Sequence, residues 1–293
     1  MSFSGEVKEE LAKRISPARH CQIAELAALM HFCGDYGQIG GNQGEKPVYT
    51  LGFQTENEAV VRKGFTLLKK TYNIDTDRAL EEQEIQGLLA KIGGPGEPVD
   101  PLLIKNSCCR RAFLRGAFLA VGSMSNPAKA YHLEFDCADE EKALLLQELI
   151  RSFEIESRII LRKKYHVVYL KEGSGIVDLL NVCEAPVSLM NLENMRILKE
   201  MRGAVNRRVN CETANIAKTV TAAAKQVEDI EYLRKYYGFQ NLPEPLREMA
   251  EIRLEYPDVP LKELGGYFHP PLGKSGVNHR LRRLSELAQQ ARP

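Results

Sequence analysis

Between Gly273 and Leu284 the chain reads GKSGVNHRLRRL, which places Lys274, Ser275, Asn278, His279, Arg280, Arg282 and Arg283 together with no acidic residue among them. At helical spacing Val277, Leu281, Leu284 and Ala288 fall on one narrow stripe, with Ser275, Asn278, His279, Arg282 and Arg283 opposite. A helix of this kind can pack its apolar back and lay its polar face in a major groove. There Asn pairs with adenine, Arg with guanine, and Lys or Ser at the helix start meets phosphate. A solvated charged face is the plainer alternative. Position favours the sharper reading: PLKELGGYFHPPLG, just ahead, supplies a short helix with Leu261 and Leu264, then Gly265 and Gly266 and a proline-rich turn. The order is helix, turn, helix, with Ser275 placed to cap the second helix. The expected partner is double-stranded DNA.

Two other basic clusters could touch phosphates: Arg207 and Arg208 in NRRVN, and Lys163 and Lys164 in LRKKYHVVYL. Charge runs are more often solvated surface, so these rank below the 273–284 helix. Catalytic chemistry has less support. The six histidines form no HExxH motif and no Cys/His zinc spacing, and the seven cysteines contain no CxxC pair. An odd cysteine count without such pairs suits a reducing compartment. KEGSGIVDLL has glycines before a helix but lacks the full GxxxxGK[ST] phosphate loop. No catalytic residue, metal or cofactor is expected.

The elements that must carry these groups follow from the chain as a whole. Its 293 residues have a formal charge of +1 and are 44% hydrophobic, so any attraction to a polyanion must be local. The N-terminal stretch MSFSGEVKEELAKRI is amphipathic rather than a signal sequence, and no apolar run approaches the ~20 residues a membrane span requires. The expected location is cytoplasmic, with no membrane contact.

Self-comparison shows a duplication. VYTLGFQTENEAVVRKGFTLLKKTYNID and AYHLEFDCADEEKALLLQELIRSFEIE share a Y-x-L-x-F strand followed by a helical pattern. The first copy's helix carries Val60, Phe65, Leu68 and Tyr72, and the second's Leu144, Leu145, Leu149 and Phe153. Each strand is preceded by another helix, in which Leu26, Ala28, Leu29 and Gly34 superpose on Leu114, Gly116, Ala117 and Gly122. Small residues in both would let the two helices cross closely. Strand-like segments end near Pro186, and from Cys211 the chain reads as all helical, with Gly238 closing one long helix. The organisation expected is a duplicated domain over 1–186, with repeats at about 20–95 and 108–186, a linker over 187–210, and a helical domain over 211–293.

The paired glycine-terminated helices resemble the signature helices of the LAGLIDADG homing endonucleases. That resemblance implies an α+β fold, a pseudo-two-fold αββαββα saddle of sheets, followed here by the all-α helix-turn-helix domain. In the endonucleases an acid precedes each final glycine and the two acids hold divalent metal at the scissile phosphates; the matching residues here are Cys33 and Val121. A thiol and a valine do not supply the hard oxygen ligands Mg²⁺ needs, and Asp35 lies beyond its glycine with Ser123 as counterpart.

Over essentially its whole length the chain resembles the WhiA family, most specifically in NRRVNCETANIAKTVTAAAKQVEDIEYL, LPEPLREMAEIRLEYPDVPLKELG and GKSGVNHRLRRL. The resemblance implies a sequence-preferring DNA-binding transcriptional regulator or a chromosome-associated protein, nucleoid-associated and acting in cell division, chromosome segregation or sporulation. It also implies the helix-turn-helix as reader, other transcription regulators as further candidate partners, and the saddle as a non-catalytic scaffold. An active divalent-metal endonuclease and a protein-interaction scaffold are the alternatives.

Overall fold

The computed structural model describes residues 2–39, 48–75, 78, 80–94 and 96–292, and the chain divides into two compact units, Met1–Glu200 and Met201–Pro293. The first unit opens with α1 (Phe3–Lys13), whose N-cap Ser2 accepts the Gly5 N–H and whose Phe3, Val7 and Leu11 are buried one turn apart. Its centre is a pair of helices, α2 (Arg19–Cys33) and, in the second repeat, α5 (Ser107–Val121). Both are buried around their whole circumference, from Ala24 to His31 and from Ala112 to Leu119. Helices that are wet on one face show a striped pattern; these two lack one because neighbours cover every side.

In the first repeat α2 is followed by β1 (Gly34–Ile39), β2 (Val48–Phe53), α3 (Glu58–Tyr72), the two-residue β3 (Leu80–Glu81) and α4 (Glu82–Ile92). The second repeat runs from α5 through β4 (Gly122–Met124), β5 (Leu133–Cys137), α6 (Glu140–Arg151), β6 (Arg158–Arg162) and β7 (Tyr165–Leu170) to α7 (Gly173–Cys183), which is the expected αββαββα order. Its antiparallel sheet is ordered β4-β5-β7-β6, and that of the first repeat β1-β2-β3. Among the described residues the first repeat's second hairpin is represented by β3 alone, pairing Leu80 with Tyr49 and Glu81 with Val48.

The Y-x-L-x-F residues lie where the alternation requires: Leu133, Phe135 and Cys137 are buried, while Glu134 and Asp136 point outward. The α6 stripe is rotated from its expected position. Leu144 is half exposed, and the buried set is Ala143, Leu146, Leu149 and Ile150, because the helix presents its 3–4 spaced row from Ala143 to the sheet.

The two central helices cross at small residues. A Cβ on Gly116 would stand 2.5 Å from the Glu25 carbonyl oxygen and 2.8 Å from the Ala28 Cβ, so only hydrogen fits there. Each helix then turns straight into a strand at Gly34 or Gly122, where a Cβ would meet the carbonyl oxygen of Met30 or Phe118 at 2.5 or 2.6 Å.

Beside this crossing lies a buried ionic network. Both carboxylate oxygens of Glu25 accept from Arg115 at 3.0 Å, and the Lys63 ammonium lies 3.0 Å from Oε1. Arg115 also donates to Glu184 at 2.8 Å, and Arg14 pairs with Glu184 as well. Although burial opposes ionisation of Glu184, Arg14 and Arg115 hold its carboxyl below the usual carboxylate range.

The long helix α8 (Pro186–Tyr236) contains the division between the units. The stretch 187–210, expected as a linker, is helical throughout as part of α8. Its end is closed by Gly238, at φ 82°, whose N–H donates to the Leu233 carbonyl. The second unit continues with α9 (Glu244–Glu255), α10 (Leu261–Leu264), a 3-10 turn over Gly265–Tyr267 and α11 (Lys274–Ala291). Its core gathers Ile230, Leu233, Met249, Leu264 and Phe268 with the expected α11 stripe of Val277, Leu281, Leu284 and Ala288. No helix among the described residues is long and apolar enough to cross a membrane.

Candidate nucleic-acid interface

The turn between α10 and α11 depends on one close approach. A Cβ on Gly265 would lie 2.0 Å from the Leu272 carbonyl oxygen, and the Leu272 N–H donates to the Gly265 carbonyl at 2.9 Å. Gly265 therefore lets the turn fold back on α10 and sets where α11 begins. Gly273, not Ser275, is the N-cap, and no side chain caps the first turn. The first N–H groups of α11 lack a capping side chain, and the positive end of the helix dipole points in the same direction.

Six of the seven residues singled out in this helix stand exposed in one row: Lys274, Ser275, Asn278, His279, Arg282 and Arg283. Arg280 departs from it. Its guanidinium sits 5.4 Å over the Phe268 ring, 3.4 Å from the Pro245 carbonyl oxygen and 3.7 Å from Glu248, so it braces α11 against its neighbours. Glu286, one turn beyond the acid-free stretch, pairs with Arg282 at 3.2 Å and Arg283 at 3.1 Å. The hydrogen bond from Arg283, with Arg282 beside it, holds the Glu286 carboxyl below its usual range.

Sequence reasoning missed a cleft beside the start of α11. Its volume is about 320 Å³, and its lining includes Lys218 of α8, Lys262 of α10, Lys274 and the buried Arg253, with no carboxylate. Arg253 donates to the Val259 carbonyl at 2.7 Å, fixing the α9–α10 connection, while its Nε lacks a hydrogen-bond partner. The residues come from four elements, α8, α9, α10 and α11, so no single segment of sequence signals the cluster.

The lesser basic clusters lie elsewhere. Lys163 and Lys164 form the exposed β6–β7 turn of the first unit, with Lys163 at φ 56° and the Lys164 ammonium 5.3 Å over the Tyr165 ring. Arg207 and Arg208 are exposed on α8, and Arg208 pairs with Glu212 at 3.0 Å.

The helix ends that match the endonuclease acids are not built for hard metal. Cys33 is buried at the end of α2, and burial pushes its thiol up to about 12; Val121 is half-buried. Asp35 stands exposed on β1 opposite Gly52. Glu134 is engaged by His132 at 2.8 Å and Arg162 at 3.0 Å.

The opposite ends of the same helices hold what sequence spacing hid. His20 and Cys21 of α2 meet Cys108 and Cys109 of α5, and among the described residues this is the one group of metal-ligating side chains whose donor atoms all lie within 4.8 Å of one another.

Comparison with known proteins accounts for both units. Three family models match: the WhiA N-terminal LAGLIDADG-like domain over residues 19–84, the WhiA LAGLIDADG-like domain over 110–202, and the WhiA C-terminal HTH domain over 205–288. A probable cell division protein WhiA of Lachnoclostridium phytofermentans is 50% identical, with 100% of both chains covered. One of Alkaliphilus oremlandii is 47% identical over 98% of this chain and 97% of its own. The solved full-length DUF199/WhiA of Thermatoga maritima, 26% identical, matches over 100% of both chains with a TM-score of 0.58. With a duplicated LAGLIDADG-like fold, a helical C-terminal unit ending in a helix-turn-helix, and these matches along its whole length, the chain belongs to the WhiA family of cell division proteins.

Proposed function

We propose that the protein is a DNA-binding regulator that reads duplex DNA with α11 and cuts none. The observation that carries this reading is the exposed row of Lys274, Ser275, Asn278, His279, Arg282 and Arg283 on the face opposite the buried stripe. Phosphates would meet Lys274, the uncapped first turn and the cationic cleft with Lys218 and Lys262, while Asn278, Arg282 and Arg283 face base edges. Bound DNA competes with Glu286 for both arginines. Arg207 and Arg208 are secondary phosphate contacts. On the outward face of the second sheet Glu134 already pairs with Arg162 and Asp136 adds a further negative charge, so Lys163 and Lys164 at its edge rank as the weaker phosphate contacts.

The relatives' printed name, probable cell division protein, supports a role in cell division. A nucleoid location, chromosome segregation or sporulation as settings, and other transcription regulators as partners, belong to the same proposal. Binding should weaken steeply with salt, as phosphate-dominated binding does. In a fluorescence-anisotropy titration on genomic fragments enriched by the protein, Arg282→Ala and Arg283→Ala should each cost about 1–3 kcal/mol. Unchanged affinity in both would remove α11 as the reader. Incubation with plasmid and Mg²⁺ or Mn²⁺ should leave the DNA intact; cutting that disappears in Asp35→Asn would make the protein a nuclease instead.

A further inference from the structure

We propose that His20, Cys21, Cys108 and Cys109 form a closed site for a borderline-soft divalent cation of the zinc class, which ties the N-terminal ends of α2 and α5 together. The four residues are two dyads in register: His20 and Cys21 stand 88 positions before Cys108 and Cys109, the same offset that superposes Leu26 on Leu114. The duplication thus brings equivalent positions of the two central helices to one point. The His20 Nδ1 lies 3.1 Å from the Cys109 sulfur and 3.4 Å from the Cys21 sulfur, between them, and all four donor atoms are within 4.8 Å of each other. Zinc bonds of about 2.3 Å to sulfur and 2.0–2.1 Å to nitrogen give a tetrahedron with edges of about 3.5–3.8 Å, so closing around a cation asks for movements of an ångström or less.

Burial and chemistry agree with this assignment. Cys21 and Cys109 are buried against Ala24 and Ala112, forming an apolar floor, while His20 and Cys108 are exposed and give the ion a way in. Three sulfurs and an imidazole with no carboxylate select zinc-class ions over Mg²⁺ or Ca²⁺. Four protein ligands leave no open position, so the site is structural rather than hydrolytic. It is also about 20 Å along the helix from Cys33, at the far end from the endonuclease acid positions. On binding, each coordinating thiol gives its proton to solvent and the ion takes up the thiolate, with no change of oxidation state.

Cobalt is the probe. The full-length chain, purified with reductant and stripped with chelator, is titrated with Co²⁺ and then with Zn²⁺. The expected result is a visible spectrum of tetrahedral, thiolate-bound cobalt that saturates at one ion per chain and is bleached by zinc. His20→Gln/Cys108→Ser, which changes only exposed side chains, should lose the spectrum and also the rise in Tm that zinc gives the parent chain. Cys211→Ser, an exposed cysteine on α8, should keep both. A fully reduced chain that takes up no cobalt, a double variant that still shows the spectrum, or loss of it in Cys211→Ser would each overturn the site.

Discussion

Glu25 is fully buried between two cations, and its environment turns one carboxylate into a requirement. Removing its charge leaves Arg115 and Lys63 in the core without their shared partner, and an uncompensated buried charge costs more than the intact pair contributes. Glu25→Gln should therefore lower unfolding stability by roughly 3–5 kcal/mol in urea denaturation. His31 makes a different prediction. Burial, with Lys142 nearby, pulls its pKa down to about 4, and its Nε2 finds no hydrogen-bond partner among the described residues. An unfolded chain protonates this residue near pH 6.5 and the folded one only near 4. Its contribution is therefore fully present above pH 6.5 and is lost as pH falls towards 4, by up to about 3 kcal/mol. His31→Gln should flatten that part of the stability profile relative to the parent chain, measured by denaturant melts at stepped pH. Arg280, stacked on Phe268, belongs with the stabilising residues: Arg280→Ala should lower Tm while leaving the salt slope of DNA binding in place.

Among elements, the α2–α5 crossing and the α10–α11 turn leave no room for an added methyl group. Gly116→Ala pushes a methyl group against helix backbone at 2.5 Å and should cost about 1–3 kcal/mol, as overpacked cores do. Gly87, on the exposed face of α4 with nothing within 4 Å of a Cβ, is the matched control: Gly87→Ala should stabilise by up to about 1 kcal/mol. Both values come from thermal melts of the full chain, and equal effects at the two glycines would refute the close crossing. The same elements show why periodicity is a partial guide. The α11 stripe is legible because a helix with one wet face must alternate every three to four residues. Arg280 sits at the margin of that stripe, and only the ring of Phe268, arriving from another element, decides that it packs inward.

For the molecule as a whole, a formal charge of +1 means that attraction to DNA depends on where charge is placed rather than how much there is. The cores of the two units are separate clusters, so damage to one need not disable the other. Lys274→Ala should reduce the salt slope of DNA binding by about one, whereas Lys163→Ala/Lys164→Ala together should change it by less. Salt-series anisotropy measures both, and a larger effect from the turn lysines would bring the first unit's sheets into the interface.

What the amino-acid sequence determined by itself is what short-range periodicity encodes. The strand-and-helix layout of each repeat, the glycine-ended central helices and the polar face of α11 follow from residues a few positions apart. The duplication is legible from self-comparison, and the loss of acids at Cys33 and Val121 only from the resemblance to the LAGLIDADG endonucleases. What only the tertiary structure decided are meetings between distant residues, such as Glu25 with Lys63 and Arg115, the cleft of Lys218, Lys262 and Lys274, and the dyads His20–Cys21 and Cys108–Cys109. The physical reason is that a buried charge, a cationic cleft or a ligand cluster is a property of side-chain atoms within a few ångströms. Nothing in local spacing records which helix ends the packing of the two repeats will bring together.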